Sequence, residues 1–236
     1  MRVASGISQL GINRKSRVLC VMPHPDDEAV FIGGLLHKLS LSKIKVQVIT
    51  VTEGEASTLR YWVPDHAKLS DIRRSELKQS LSRLGIKDYI CWKYPDGGLE
   101  NKTIKLKNRL KSAINSFRPT HIITLEPDGI YGHPDHITLT NCVKNIVPQR
   151  VTLIYSTVRP AFIMPSARRM AQKSDIVPLP PDIELRLSLR NAAAKLQSLM
   201  AHKSQLIKPP FPFKNTVFFL KNKMFTHEYY CFAKSS

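Results

Sequence analysis

Two short segments concentrate imidazoles and carboxylates. Pro23-His24-Pro25-Asp26-Asp27-Glu28 follows the apolar run Arg17–Met22, and Gly132-His133-Pro134-Asp135-His136 comes soon after a second run at 120–125. Each run reads as a buried strand, and ligands in open α/β sheets bind beyond the carboxyl ends of the strands. His24 and Asp27 are three residues apart in a tight turn at a helix start, so both can face one point. Zinc takes imidazole nitrogen and carboxylate oxygen, and a site with three protein ligands keeps a position for water. His133 and His136 are both on offer as the third ligand. Whichever of Asp26 and Asp27 stays off the metal can serve as a general base. Of His133 and His136, one can bind metal and the other can donate a hydrogen bond to developing oxyanion charge. Helix capping accounts for one acidic residue at such a turn. It does not account for Asp26, Asp27 and Glu28 beside a histidine. Asp135 reads as a cap or as a partner held behind the ligands. This is the equipment of a metal-dependent hydrolase.

The rest of the chain must position these groups. Arg17–Met22 and the β-branched Lys45–Thr52 read as strands. Residues 28–41 between them read as a helix, with Gly33-Gly34 allowing close packing near its middle. A helix over 71–84 ends at Gly85. A strand at 88–93 and a basic amphipathic helix at 102–117 follow, the helix stopping at Arg118-Pro119. Further strands are expected at 120–125 and 151–156, with a loop at 126–132 and a helix at 134–146 between them. Residues 157–182 read as a long surface excursion, 183–207 as a helix, and 216–232 as a terminal β-hairpin around Lys221-Asn222-Lys223. Strands separated by helices predict an α/β fold: a mostly parallel sheet with helices on both faces, plus that C-terminal hairpin.

At 236 residues the chain suits one domain, 1–236, and does not require two. No transmembrane segment of about 18 consecutive apolar residues is present, and the first fifteen residues lack a signal-peptide core. A cytoplasmic protein is the expectation. Cys20, Cys91, Cys142 and Cys231 are scattered and read as reduced. The unusual feature is charge: 36 Lys+Arg against 18 Asp+Glu, a net +18. Such a field attracts an anionic substrate or surface as partner, but a merely solubilising surface is the favoured reading, because charge speaks to association and not to fold. There is no dedicated nucleic-acid motif, and the basic helix lacks the interleaved aromatics of single-strand binders. The alternative to an enzyme is a noncatalytic module on the same fold that holds anionic lipid or nucleic acid. Asp26 discriminates, because binding alone needs no spare carboxylate. A dinucleotide-binding oxidoreductase is disfavoured, since His-Pro-Asp-Asp-Glu stands where a glycine-rich turn would admit a pyrophosphate.

The two motifs resemble the signature of the PIG-L/LmbE-like zinc-dependent N-acetylglucosaminyl deacetylases: H-P-D-D-E after the first strand and G-H-P-D-H later. Supporting pieces are Thr52-Glu53-Gly54-Glu55, Arg73-Arg74-Ser75-Glu76-Leu77, Pro95-Asp96-Gly97-Gly98-Leu99 and His202-Lys203-Ser204-Gln205, so the resemblance spans about residues 17–205. It implies a Rossmann-like fold and hydrolysis of an N-acyl group on an amino sugar or glycoconjugate of the N-acetylglucosamine type. It places one zinc ion on His24, Asp27 and His136, a site whose ligand types ferrous iron shares. It makes Asp26 the general base and His133 the oxyanion donor, with Tyr131 assisting. It assigns Arg74 to the substrate pocket, against the alternative of a helix-face salt bridge with Glu76 or Asp71. Asp128 would support His133 from behind, against the equal alternative of a turn-forming Asp before Gly129.

Overall fold

The structure, a computed structural model, describes residues 1–159, 176–205, 223 and 225–233. Eight strands form one sheet: β1 (Arg2–Ala4), β2 (Arg17–Met22), β3 (Lys45–Thr52), β4 (Tyr89–Tyr94), β5 (His121–Leu125), β6 (Thr152–Thr157), β7 (Ile183–Arg186) and β8 (His227–Phe232). Five longer helices accompany them: α1 (Asp27–Leu41), α2 (Leu69–Arg83), α3 (Thr103–Phe117), α4 (Pro134–Lys144) and α5 (Leu189–Leu199). The strand order is β1-β7-β8-β6-β5-β2-β3-β4. From β6 to β4 all neighbours are parallel. Only β8 runs against its neighbours β6 and β7.

The central strand shows why both faces must be covered. Val18, Cys20 and Met22 of β2 face a core built with Leu35, Leu36 and Leu39 of α1 and Leu77 and Leu81 of α2. Leu19 and Val21 face the opposite core, with Leu106 and Leu110 of α3 and Leu139 and Val143 of α4. An all-apolar strand buried on both sides is what parallel sheets produce. The chain winds outward through β2, β3 and β4, then returns to place β5 on the other side of β2. The carboxyl ends of β2 and β5 therefore flank the switch point where open α/β sheets hold ligands.

Three expectations need adjusting. A short strand, β1, precedes the first expected one and pairs in parallel with β7. Residues 183–207 are not one helix. Ile183–Arg186 is a strand between β1 and β8, and α5 starts only after Ser188, whose side chain accepts from the Asn191 N–H. The Glu-Leu-Arg-Leu composition favours helix, but two open strand edges on either side outweigh propensity. The C-terminal strand pair is present as antiparallel β7–β8, while the first arm of the expected hairpin, before Lys223, lies outside the described residues. The excursion 157–182 is described only at its ends, and Thr157 Oγ1 donates to the Leu179 carbonyl at 2.8 Å. All four cysteines are free thiols. Among the described residues no helix is long and apolar enough to cross a membrane.

Candidate metal centre

His24 leaves the end of β2, and Asp27 opens α1 three residues later. The geometry between them is tight. The His24 N–H donates to Asp27 Oδ2 at 3.0 Å, and His24 Nδ1 lies 3.3 Å from the same oxygen. From beyond β5, His136 in the first turn of α4 brings Nε2 to 3.3 Å from His24 Nδ1 and 3.5 Å from Asp27 Oδ2. The three atoms form a nearly equilateral triangle. Ligands about 2.0–2.1 Å from a tetrahedral zinc lie roughly 3.3–3.4 Å from one another, the edge length seen here. All three residues are buried, and the donor set fits a divalent ion.

The charge states suit that role. Burial pushes His136 down to about 3, so its imidazole is neutral and its lone pair available. Burial opposes the Asp27 carboxylate, but the hydrogen bonds and charge of His24 lower its pKa and hold it ionised. His24 is also penalised by burial, yet Asp135, Asp27 and Asp96 raise its pKa well above the ordinary imidazole value. A metal arriving at Nδ1 must displace that proton, so affinity falls as pH falls. The other ring nitrogen, Nε2, faces Asp96 Oδ1 at 3.1 Å and Asp135 Oδ2 at 3.2 Å. A carboxylate behind a ligating histidine fixes its tautomer and orientation. Asp135 is itself fixed by the N–H groups of Gly97 at 2.7 Å and Leu99 at 3.1 Å. It is thus a partner behind the ligands, one of the two roles the sequence allowed.

Asp26 stands beside the triangle but outside it. Its φ is 116°, a conformation that costs a non-glycine residue on the order of 1–3 kcal/mol and persists only where the surroundings enforce it. Here they do. Arg73, buried in α2, places Nη2 3.0 Å from Asp26 Oδ2 and also donates to the Pro25 carbonyl and to the Gly54 carbonyl at 2.9 Å. Gly54 has φ +68°, and a Cβ there would fall 2.1 Å from the guanidinium, so the loop after β3 admits only glycine. The Asp26 N–H donates to Glu28 Oε2 at 2.9 Å. Glu28, fully buried, also accepts from Ser80 Oγ at 2.5 Å and meets His202 Nε2 at 2.7 Å. Burial raises the Asp26 pKa to about 6 against the lowering effect of Arg73.

His133 stacks on His136 with ring centroids 4.7 Å apart. Its Nδ1 accepts the Asp135 N–H at 3.2 Å, and burial together with the His24 charge lowers its pKa. The neutral ring therefore carries its proton on Nε2, free to donate. Tyr131 packs edge-on against His136 at 5.4 Å and His133 at 6.0 Å.

The remaining expectations are met unevenly. The arginine in contact with Asp26 is Arg73. Arg74, one residue on, turns outward to Asp71 at 2.6 Å and Glu53 at 3.2 Å, because adjacent helical residues point about 100° apart. That is the helix-face salt bridge weighed against the pocket role, with Asp71 and not Glu76 as partner. Glu76 instead accepts from Ser204 N and Ser204 Oγ, each at 2.7 Å. Asp128 is exposed and its N–H donates to Glu126 at 3.2 Å. Among the described residues no hydrogen bond joins it to His133, so the support expected from Asp128 comes from Asp135. Glu126 bends the turn instead, drawing in the Ile130 N–H. Asp96 and Arg73 were missed as site residues, although each sat in a segment the sequence marked.

The chain is similar in sequence and fold to known proteins. A family model described as PIG-L, GlcNAc-PI de-N-acetylase, matches residues 19–147. The chain is 32% identical to a 1D-myo-inositol 2-acetamido-2-deoxy-alpha-D-glucopyranoside deacetylase of Mycolicibacterium gilvum, over 60% of this chain and 59% of that protein. It thus spans under two thirds of that relative's length. The enzyme of the same name from Corynebacterium diphtheriae is 28% identical, over 80% of this chain and 76% of its own. Among solved structures, the N,N'-diacetylchitobiose deacetylase of Pyrococcus horikoshii superposes with a TM-score of 0.66 at 18% identity, covering 96% of this chain and 89% of that one. Likeness at that identity speaks to the fold alone.

Proposed function

The chain belongs to the GlcNAc-PI de-N-acetylase (PIG-L) family, and on that premise we propose that it is a zinc-dependent hydrolase removing the acetyl group from an N-acetylated amino sugar of the N-acetylglucosamine type. The observation that carries this reading is the triangle of His24 Nδ1, Asp27 Oδ2 and His136 Nε2 with Asp26 held in strained backbone beside it. Two imidazoles and one carboxylate suit zinc, with ferrous iron as the competitor of the same ligand preference. Bound there, a divalent ion supplies an acidified water and a Lewis acid for the acyl oxygen.

The chain's own residues do the rest. Asp26 takes the proton of the attacking water, its Oδ2 being held by Arg73 so that Oδ1 is the accepting oxygen. His133 donates from Nε2 to the acyl oxygen as negative charge gathers there. Tyr131 walls the acyl pocket with its ring. The proton on Asp26 then passes to the amide nitrogen as the C–N bond breaks, leaving acetate and the free amino sugar. The substrates named for the relatives, a GlcNAc-inositol and diacetylchitobiose, define the first panel. The test measures acetate and amine release together with metal content by elemental analysis. Wild type is expected to hold one divalent ion and to deacetylate at least one member, and His136→Ala to lose both properties. Full metal occupancy in His136→Ala overturns the ligand assignment. A metal-loaded wild type that releases no acetate from any N-acetylated sugar overturns the activity.

A further inference from the structure

The charges of this protein are sorted along the strands. Acids gather at the carboxyl edge of the parallel sheet, in Asp26, Asp27 and Glu28 after β2, Glu53 and Glu55 after β3, and Asp96 after β4. The opposite edge, the foot, is basic. Each of the five contiguous strands from β6 to β4 is entered by a cation: Arg150 before β6, Arg118 before β5, Arg17 at β2, Lys45 at β3 and Lys87 before β4, whereas β7 beyond β8 is entered by Asp182. The register places Arg17 beside Lys45, and the order of strands makes these five neighbours in a row. Adjacent strands lie about 4.8 Å apart, so the row spans roughly 19 Å. Lys15 and Lys43 add to it from the preceding loops, and Asp88 is the one acid in the connections that enter these strands.

Structure accounts for two members of the row, one of them Lys45, whose Nζ lies 5.9 Å from the Phe117 ring centroid. Arg17 is half-buried and donates through Nε to the Phe117 and Arg118 carbonyls at 2.9 and 3.1 Å, a C-terminal helix cap. The others are exposed, and among the described residues no ion pair holds Lys15, Lys43, Lys87, Arg118 or Arg150. The carboxyl ends of α1, α2, α3 and α4 lie at this edge and their dipoles offset part of the charge; no carboxylate ion pair offsets the rest among the described residues.

We infer that the foot of the sheet is a docking surface for an anionic lipid bilayer. The array is a row of separate charges that needs no complementary shape, which suits a plane of headgroups better than a grooved duplex. Among the described residues no fully exposed aromatic stands among these cations to stack a base: Phe117 is buried under Arg17 at 4.9 Å, and Tyr89 at the start of β4 is half-buried against the core. One apolar side chain, Leu41, is exposed beside Lys43. Docked this way, the metal centre faces away from the membrane and takes its substrate from the aqueous side. Each Lys or Arg held near an anionic bilayer raises partitioning roughly fivefold.

The test is flotation of the full chain with vesicles of phosphatidylcholine alone or with one quarter phosphatidylglycerol. Wild type is expected on the anionic vesicles only. The triple variant K43E/K45E/K87E is expected to lose at least ~100-fold in partitioning, with Tm and deacetylation of a soluble sugar unchanged. K43A/K45A/K87A, a milder variant, should lose partitioning in the same direction. K68E/K102E/K203E carries the same charge change away from the foot and should keep most of the binding. Equal losses in the two Lys→Glu variants overturn the inference, because net charge alone then explains adsorption. So does a failure of wild type to bind anionic vesicles, or tighter binding to duplex DNA than to vesicles through the same foot residues.

Discussion

Asp26 and His133 carry the sharpest expectations at the scale of single residues. Asp26→Asn keeps the volume and the contact with Arg73 but cannot take a proton at neutral pH. A positioned general base contributes on the order of 10²–10⁴-fold, so kcat should fall by that factor with metal content unchanged by elemental analysis. The base must be ionised to act, and burial raises Asp26 to about 6. Activity is therefore lost as pH falls through that value, and bound cation draws the limb lower. A kcat/KM profile flat from pH 4 to 8 would exclude Asp26 as the base. His133 donates to charge that exists only in the transition state. His133→Ala should cost about 2.7–4 kcal/mol in kcat and leave metal affinity nearly unchanged, as measured by chelator competition. At this scale the sequence was most legible. The spacing of His24, Asp27, His133 and His136 places them on one sheet edge whatever the details. Arg73 was less legible because α2 offers two adjacent arginines, and only packing against Gly54 decides which one points inward.

Elements were legible where pattern and environment agree. β2, β3 and β5 are apolar runs buried on both faces, and the structure has them where the sequence puts them. Ile183–Arg186 was not, because its strand state depends on neighbours β1 and β8 that are remote in sequence. The same corner holds a contact with a measurable consequence. Glu228 of β8, buried, sends its carboxylate into the middle of α1. It accepts from Gly34 N at 2.7 Å and Leu35 N at 2.8 Å, and from Lys195 Nζ and Tyr230 Oη, each at 2.8 Å. Gly34 permits the approach of the connection between β7 and α5, since a Cβ there would fall 2.3 Å from Leu187. Glu228→Gln leaves the Lys195 ammonium buried without its counter-charge. Loss of one partner of a buried pair costs about 3–5 kcal/mol, read as a shift in the urea midpoint. Adding Lys195→Met to Glu228→Gln should recover part of that loss. A double variant no more stable than the single one would show that the backbone bonds to α1, and not the ion pair, dominate.

For the whole molecule, the net charge of +18 pointed to anionic partners without saying where they would meet the protein. Strand register supplied the place, because it aligns residues from five separate connections into one row. A metal bound at the triangle should also tie stability to its occupancy at this scale. The three ligands come from two connections on either side of the switch point, so an unfolded chain offers no preformed site. Metal at about 100 times its Kd stabilises the native state by about 2.7 kcal/mol. For a chain of this length a chelator should lower Tm by roughly 5–10 °C. Wild type is expected to show that shift and His136→Ala none. An equal shift in both would place the responsible metal elsewhere.

The position of the metal centre between β2 and β5 also bears on the order in which the chain acquires structure. The hydrogen bonds joining these strands close a loop of 103 residues, and His24 meets His136 across 112. Contacts so distant in sequence form late, after the entropy of closing the loop has been overcome. β2, β3 and β4 can assemble first from shorter-range pairings, with His24 and Asp27 already in place and only two ligands between them. A chain arrested at that stage would release metal readily. Tight metal retention arises only when β5 docks and α4 delivers His136, so metal uptake in a refolding experiment times the last long-range step of folding.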